Sequence, residues 1–540
     1  MIPFMNLPRS FLCAASFLFP CLPLHADVST PSLIGPNMVL QQPNAKIWGK
    51  ADAGEKVSVS IAGKTATATA AEDGSWSVRF TKLKSGGPHE LVIQGKNKLV
   101  HSNVLIGDVW LCSGQSNMEW SVGSSKDADT EKAAATDDAI RCFIVSRSVS
   151  DSPALTTSGS WIVVSPETVS RTTAAGYFFA REVRKKVKMP IGLLQSAYGG
   201  SPAEAWMSAA TLSENPVFAE ILTVWQKKVG EYPAAKQTYD AALAQWKTES
   251  ETAKAEGRPS PMRPTEPQGP GNRHQPSGLF NGMIAPLESV SLRGILWYQG
   301  EANVGRPYEY APLFSTLIKS WRSFLKQGDL PFYFVQLAGF GNDLPNSTDS
   351  FRALLREAQQ SALKLPNTGM ATAVDIGEAS DIHPKNKQEV GRRLALLALT
   401  KSYGLELAAS GPTFSDIKTE RNKLRITFKN ATGLADKNEA PLEGFFVSGT
   451  DTTYYPAEAK IEGSTVVLTS PEVTKPIAAR YAWGEAPACD LTNKTGLPAL
   501  PFRTDAWDKT MPRLIPTPAP ATPASESSTP PTTEQPSPNS

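Results

Sequence analysis

The chain has 540 residues, of which 40% are apolar and 20% are charged, and its formal net charge is +2. This length exceeds one compact core and predicts two to four domains, while the composition is that of an ordinary soluble globular protein. The balanced charge, without basic runs, argues against nucleic acid or a membrane surface as a partner.

The first 26 residues carry the features of a secretory signal. Arg9 supplies a positive start, the residues after it are mostly apolar, and Ala26 offers a small residue at a cleavage point. The apolar run is too short for a spanning helix, and Pro20 and Pro23 are a further argument against one. We therefore predict a signal peptide over 1–26, a secreted or periplasmic location and no transmembrane segment.

The cysteines argue against a disulfide framework and against a zinc site. Loss of the signal leaves Cys112, Cys142 and Cys489, an odd and sparse set. Cys112 and Cys142 lie in apolar runs and are expected to be small buried side chains. A bridge between them, on neighbouring strands, is the alternative. The sequence shows no cluster of metal ligands, so we expect neither a metal nor another cofactor.

Residues 28–105 have the pattern of an antiparallel β domain. Short runs with strand character are separated by Gly and Asp-Gly turns. These runs occur at 57–61, 65–69, 76–80 and 91–94.

Residues 106–403 alternate strand and helix patterns and therefore predict a parallel sheet covered by helices. The predicted strands lie at 108–113, 141–146, 190–195, 293–299, 331–338 and 369–376. The predicted helices lie at 173–187, 309–326, 350–363 and 386–402. An excursion at about 208–280 combines a polar helix over 214–256 with a Pro- and Gly-rich return. It is either a surface insertion or a lid or rim of the substrate cleft.

The last part of the chain returns to β patterns. Residues 408–505 predict a second antiparallel β domain. Its strands are expected at 424–428, 444–447, 465–468 and 477–483. Residues 511–540 are rich in Pro, Thr and Ser, and such a segment cannot bury enough apolar surface to fold. We predict a disordered tail.

The stretch from Gly107 to Glu119 carries the strongest functional signal. The apolar run Val109–Cys112 predicts a buried strand, and Ser116 follows it inside Gly-Gln-Ser-Asn-Met. A serine at the carboxyl end of a parallel strand lies where α/β enzymes place their reactive groups. The N–H groups at the start of a following helix would support an oxyanion there. Ser116 is therefore a candidate nucleophile; a serine that caps the next helix is the alternative.

Two of the five histidines, His274 and His383, are serious candidates for a base. Asp381 precedes His383 by two residues, and in an extended loop such side chains share a face. The carboxylate would then hold Nδ1 and leave Nε2 free toward a serine. The alternative for Asp381 is an Asx-type turn before a helix. His274 lies in a Pro-rich loop, and we disfavour it as the base.

Four motifs together resemble those of the SGNH-hydrolase superfamily and, within it, of the sialate O-acetylesterase family. They are a nucleophile block at 114–118, a Gly-containing oxyanion block at 198–206, a Gly-Glu-x-Asn block at 297–303 and an Asp–His block at 381–387. The four occur in the order of the family. The resemblance implies a flavodoxin-like, three-layer α/β core with a parallel sheet, flanked by N-terminal and C-terminal antiparallel β domains.

The resemblance also implies roles for single residues. Ser116, His383 and Asp381 would be nucleophile, base and orienting carboxylate. The oxyanion donors would be the backbone N–H of Ser116, the backbone N–H of Gly200 (with Gly199 as the alternative) and the side-chain amide of Asn303. The residues predicted to bind substrate are Gln115, Trp297 and Glu301. For Trp297 and Glu301, buried support of a strand end is an equally good alternative.

Three function classes follow from these observations. The first is an esterase that removes O-acetyl groups from sialic acids through an acetyl-enzyme. The second has the same chemistry on another acetylated glycan, of the xylan or pectin type. The third is a carbohydrate-binding protein with an inert hydrolase core, and the complete set of predicted catalytic residues argues against it.

Overall fold

A computed structural model describes residues 27–342 and 350–505. The predicted signal peptide over 1–26 and the predicted tail over 511–540 lie outside these residues. Within the described ranges, no helix is both long enough and apolar enough to cross a membrane.

The N-terminal strands lead directly into the central sheet of the molecule. They are β1 (Val39–Gln41), β2 (Ala45–Lys50), β3 (Lys56–Ile61), β4 (Lys64–Thr69), β5 (Ser75–Phe80), β6 (Gly86–Gln94) and β7 (Lys98–Gly114). The first residues of β7 alternate between partly and fully exposed, as in an antiparallel strand with one solvated face, whereas residues 104–114 are all buried. The predicted domain boundary at 105/106 therefore falls inside one continuous strand.

The sequence predicted a parallel sheet in this part of the chain. The observed sheet is parallel except at one edge, where the last strand is antiparallel. Its further strands are β8 (Ile140–Ile144), β9 (Trp161–Val163), β10 (Ile191–Ala197), β11 (Gly294–Tyr298), β12 (Phe332–Gln336) and β13 (Thr368–Thr372). The order across the sheet is β13-β12-β11-β7-β10-β8-β9, and β9 alone runs antiparallel to its neighbour. Each of the six core strands predicted from the sequence is present, which confirms the α/β fold class.

Helices cover both faces of this sheet. They are α1 (Ser116–Glu119), α2 (Ala128–Ala133), α3 (Ala174–Val187), α4 (Ala209–Ser213), α5 (Ala219–Ala255), α6 (Pro307–Leu325), α7 (Phe351–Ser361) and α8 (Lys387–Lys401). Trp110 of β7 contacts Phe179 of α3, and α3 packs on α8. Trp297 of β11 lies in register with Ser113, on the opposite face from Trp110, and contacts Phe314 of α6. The result is a three-layer core.

The three described cysteines are free and buried. Strand β10 lies between β7, which carries Cys112, and β8, which carries Cys142. The two thiols are therefore not on neighbouring strands, and the alternative of a bridge between them is wrong.

The excursion within the α/β part is built around α5, which confirms the predicted helix. Only Ile221 and Ala253 of its 37 residues are buried, so the helix projects from the core. The return segment lies against it: Lys228 Nζ donates to Gln268 Oε1 at 2.6 Å. The chain re-enters the core at residue 277.

The C-terminal part forms antiparallel sheets around a second apolar core. Its strands are β14 (Thr413–Glu420), β15 (Lys423–Lys429), β16 (Ala435–Asp436), β17 (Phe445–Ser448), β18 (Tyr454–Pro456), β19 (Glu458–Glu462), β20 (Thr465–Thr469), β21 (Ala478–Tyr481), β22 (Leu491–Thr492) and β23 (Phe502–Arg503). Arg356 of α7 attaches it to the α/β core by donating to the carbonyl oxygens of Gly484 at 2.6 Å and Glu485 at 2.8 Å.

Candidate active site

The carboxyl ends of three adjacent strands form the base of the site. Strand pairing places Gly114, at the end of β7, beside both Ala197 of β10 and Tyr298 of β11. Gly114 has φ +137°, and a Cβ there would lie 2.1 Å from the carbonyl oxygen of Tyr298, so only glycine permits this approach. The chain turns at this point and presents the partly exposed Ser116 at the start of α1.

A helix follows the nucleophile, as the sequence predicted, and it is short. It spans one turn, so a helix dipole contributes little and the local N–H groups matter more. The N–H of Ser116 has no partner within the described part of the chain, as expected for the first residue of a helix.

The loop after β13 brings His383 to Ser116. Because β13 is the outermost strand on its side, this loop passes over the ends of β12 and β11 to reach β7. Nε2 of His383 lies 2.9 Å from Oγ of Ser116, within hydrogen-bonding distance. The indole ring of Trp120 stacks on the imidazole with a centroid separation of 4.8 Å and an interplanar angle of 15°.

Asp381 lies beside the imidazole but makes its short contact with the backbone. Its Oδ1 accepts the backbone N–H of His383 at 2.9 Å, which is the Asx-type turn given above as the alternative. The same oxygen lies 3.7 Å from Nδ1, beyond a normal hydrogen bond. Catalytic hydrogen bonds are often longer before substrate binds, so this distance is compatible with an orienting carboxylate.

The surroundings of His383 favour the neutral imidazole. Burial lowers the pKa of His383 below its usual value, the nearby Lys387 lowers it further, and Asp381 opposes both effects. A lowered pKa keeps the ring unprotonated near neutral pH, and only that form can accept the proton of Ser116.

A turn of two glycines lies directly beside the serine. A Cβ on Gly199 would be 3.4 Å from Cβ of Ser116. The N–H of Gly199 is used, because it donates to Oε2 of Glu119 at 3.0 Å, whereas the N–H of Gly200 has no partner among the described residues. The structure thus favours Gly200 over Gly199 as a free donor. Glu119 is held in turn by Nε of Arg147, 2.6 Å from Oε1.

Asn303 is fixed at the edge of the site by a buried network. Its Oδ1 accepts the backbone N–H of Ala203 at 2.9 Å and the amide of Gln299 at 2.7 Å. Its Nδ2 donates to Oε2 of Glu204 at 3.0 Å. A carboxamide nitrogen carries two N–H bonds, so one has no partner among the described residues, and the side chain is only 1% exposed.

Two residues predicted to bind substrate are part of the protein interior. Gln115 is only 3% exposed, and its Oε1 accepts the backbone N–H groups of Gly300 and Ala302, each at 3.2 Å. Trp297 is fully buried, because both faces of β11 are covered, and its ring packs against Trp206, Trp321, Phe314 and Phe332. The prediction that these two side chains bind sugar is therefore wrong; both support the strand ends.

Glu301, the third residue predicted to bind substrate, belongs to a buried network behind the nucleophile. Its Oε1 accepts Nδ2 of Asn117 at 2.5 Å, and Oδ1 of Asn117 accepts Nζ of Lys387 at 2.7 Å. Burial raises the pKa of Glu301 and lowers that of Lys387 to about 7. Lys387 also donates to the carbonyl oxygen of Pro384 at 2.5 Å, so it joins the segment after Ser116 to the segment after His383.

Sequence reasoning missed Glu119 and Lys387, although both lie inside the quoted motifs. A charged residue next to a serine or histidine motif is a weak signal, because only the fold shows what it contacts. His274 lies on the return segment, where burial lowers its pKa to about 4 and its Nδ1 contacts Oδ1 of Asn272 at 2.7 Å. Across the described residues, no group of acidic, His and Cys side chains is arranged to hold a metal ion.

Comparison with known proteins gives a consistent result. A family model described as "Carbohydrate esterase, sialic acid-specific acetylesterase" matches residues 106–257 and 272–400. The chain is 30% identical to the sialate O-acetylesterase of Rattus norvegicus over 526 residues, covering 87% of this chain and 93% of the relative. It is 30% identical to that of Homo sapiens over 529 residues, covering 87% and 91%. A crystal structure of a carbohydrate acetylesterase from Xanthomonas citri superposes with a TM-score of 0.76 at 35% identity, covering 89% of this chain and all of that one.

Proposed function

We propose that this chain, which belongs to the family of sialic acid-specific acetylesterases among the carbohydrate esterases, removes O-acetyl groups from sialic acids. Family membership makes it a carboxylic ester hydrolase. The identity of the sugar and the mechanism are our proposal. The contact of 2.9 Å between Nε2 of His383 and Oγ of Ser116 carries it, because this arrangement activates a serine.

In the proposed mechanism, Oγ of Ser116 attacks the carbonyl carbon of the acetyl group while Nε2 of His383 takes its proton. The imidazolium then gives this proton to the departing sugar hydroxyl, which leaves an acetyl group on Ser116. Water, activated by the same imidazole, hydrolyses the acetyl-enzyme and releases acetate. Asp381 stabilises the imidazolium and holds its orientation.

The negative charge that develops on the carbonyl oxygen requires hydrogen-bond donors. The N–H groups of Ser116 and Gly200 have no protein partner in the described structure, and the amide of Asn303 has one unused N–H. Loss of one such donor costs about 2.7–4 kcal/mol in the barrier.

The nucleophile is tested with Ser116→Ala. We expect this variant to lose hydrolysis of p-nitrophenyl acetate while keeping its fold, and we expect a serine-reactive phosphonate to label Ser116 in the wild type. Activity within tenfold of wild type, or a label on another residue, would show that the assignment is wrong.

The base is tested by combining substitutions. His383→Ala should lose nearly as much rate as Ser116→Ala, and the double variant should lose little more, because the two groups act as a unit. Asp381→Asn should lose less, since it keeps the backbone hydrogen bond and removes only the charge. Additive losses in the double variant would contradict a shared role.

The substrate is tested by acetate release from O-acetylated sialic acids beside acetylated xylan and pectin. We expect turnover of the sialic acids, with loss of the acetyl group and an uncut glycan chain. Hydrolysis of the plant polysaccharides alone would favour the second candidate. That candidate is kept because the Xanthomonas citri relative, at 35% identity, is described as a carbohydrate acetylesterase and its description names no sugar.

We also propose export of the protein, on the basis of the signal-like residues 1–26. Mass spectrometry of protein recovered from outside the cytoplasm of an expressing bacterium tests this. The expected mature chain begins at Asp27; an intact Met1 would refute the proposal.

A further inference from the structure

The return segment of the excursion reaches the glycine turn beside the nucleophile. Arg273 lies on this segment, and a Cβ on Gly200 would be 3.2 Å from its Nε and 3.5 Å from its Cζ. Gly200 follows Gly199, which packs on Ser116. Arg273 and Ser116 therefore contact two consecutive residues of the same turn. The excursion thus supplies a side chain to the rim of the cleft.

The charge of Arg273 is not neutralised by the protein. Two neighbouring arginines are paired: Arg147 with Glu119, and Arg306 with Glu204. Arg273 is exposed, and within residues 27–342 and 350–505 it has no ion pair and no hydrogen bond from its side chain. Besides its contact with Gly200, its guanidinium faces an aromatic ring, the Cζ atom lying 6.0 Å from the ring centroid of Tyr198.

A second cation, Lys228, lies near Arg273, since both side chains act on the pKa of His274. Lys228, which α5 contributes, donates to the uncharged side chain of Gln268. Arg306 forms ion pairs with two carboxylates, those of Glu204 and Glu309, whereas Lys228 and Arg273 have no ion pair among the described residues. In agreement with this, burial and then Arg273 lower the pKa of His274 to about 4.

We propose that Arg273 is a specificity-determining residue that binds a carboxylate on the acetylated sugar, so that the enzyme selects acidic over neutral substrates. The inference rests on the proposed function only for the place of the scissile ester, at Ser116. Sialic acids and uronic acids both carry such a carboxylate, and the shared chemistry is what Arg273 recognises.

The chemistry of the two groups matches. A guanidinium offers parallel N–H donors that a carboxylate accepts in pairs, and such charge-assisted bonds are stronger than neutral ones. The ring of Tyr198 limits the rotation of Arg273, which lowers the entropy lost when a ligand binds. An uncharged group on a neutral sugar lacks the opposite charge and the paired acceptor oxygens, so it gains less from the guanidinium.

The test compares Arg273→Ala and Arg273→Lys with the wild type on matched esters. An O-acetylated sialic acid is paired with its carboxamide, in which the carboxylate is replaced by an uncharged amide, and p-nitrophenyl acetate reports the chemistry alone. We expect kcat/KM for the acid to fall roughly ten- to hundredfold in Arg273→Ala, mainly through KM. Arg273→Lys should lose less activity, because lysine keeps the positive charge but lacks the two parallel N–H donors of the guanidinium.

In Arg273→Ala the carboxamide should lose much less than the acid, because it has no charge for the guanidinium to pair with, and p-nitrophenyl acetate should lose least, because it has no sugar. Arg263→Ala is the matched control. Arg263 lies on the same return segment, 5.7 Å from the ring of Trp246 and away from the site, so its loss should leave all substrates unaffected.

The outcomes separate the two proposals. The role of Arg273 would be overturned if Arg273→Ala lost as much activity on the carboxamide as on the acid. It would also be overturned if Arg273→Ala turned over every acidic sugar as fast as the wild type. Suppose that the wild type hydrolyses acetylated oligogalacturonate but not O-acetylated sialic acids, and that Arg273→Ala loses this activity. That result would support the carboxylate contact and refute the sialate proposal. Turnover of neutral acetylated xylo-oligosaccharides alone, unaffected by Arg273→Ala, would overturn the contact.

Discussion

Removal of Glu119 should slow catalysis although this residue is not one of the reacting groups. Its carboxylate holds the N–H of Gly199 at 3.0 Å, and the next N–H, that of Gly200, is the proposed oxyanion donor. In Glu119→Ala the turn keeps its bond from the N–H of Tyr198 to the carbonyl oxygen of Gly114, at 3.1 Å, but loses the anchor at Gly199. Without this anchor, the N–H of Gly200 is no longer held in a single orientation toward the oxyanion.

The size of the effect follows from the bond that is lost. A hydrogen bond to a charged group contributes about 1.5–3 kcal/mol. The side chain of Glu119 is 21% exposed, so solvent screening places the expected loss near the lower end of this range. Each 1.36 kcal/mol changes the rate tenfold, so kcat should fall roughly 10- to 30-fold, with little change in KM for a small acetyl ester.

The assay is steady-state hydrolysis of p-nitrophenyl acetate at several substrate concentrations, with a thermal melt to show that each variant folds. Arg147→Ala is the matched control, because it removes the partner of Glu119 and leaves the bond to Gly199 in place. We expect a loss below about threefold for it, as for other exposed ion pairs. Glu119→Ala within threefold of wild type, or Arg147→Ala equally slow, would refute the reasoning.

Three further predictions concern pH, the buried lysine and the acyl group. Burial and Lys387 lower the pKa of His383, and the neutral ring is the base, so the acid limb of kcat/KM should have its midpoint below the usual imidazole value of about 6.5; a midpoint at or above that value would contradict this. Lys387→Met removes a positive charge that lowers the pKa of His383, so the acid limb of the pH profile should move to higher pH. If the folded variant has an acid limb at the same or a lower pH, the electrostatic effect of Lys387 on His383 is contradicted. Rates should fall steeply from acetyl to butyryl esters and be negligible for octanoyl esters, since each methylene too many costs about 1–3 kcal/mol in a well-packed site; faster octanoate turnover would indicate a lipase-like pocket.

The positions of strands and helices in the core were predictable because the periods of the apolar residues are strong local signals. The sequence also singled out Ser116 and His383, which lie in contact in the structure, because both come after buried strands; their catalytic roles stay a prediction. Trp297 was misjudged as a possible sugar contact, because proximity to a motif was given weight although the run Gly294–Tyr298 is apolar throughout.

The residues that the sequence did not reveal act through distant contacts. Arg273 reaches the Gly200 turn from a Pro-rich segment, and no local pattern shows where such a segment returns to the core. Glu119 and Lys387 carry charges whose partners are 80 and 270 residues away in the chain. The local periodicity of apolar residues predicts helices and strands, but it cannot predict contacts between charged residues that are far apart in the chain.

Strand β7 also has a consequence for how the molecule unfolds. It is hydrogen-bonded to N-terminal strands β1 and β6 along its first part and to β10 and β11 along its last, and the nucleophile follows its final residue. One apolar core extends from Val28 through the α/β part. The N-terminal strands are therefore not a detachable accessory domain. We expect them to unfold in one cooperative unit with the strand that carries the nucleophile, so that slow amide hydrogen exchange extends along β7 without a break at the junction.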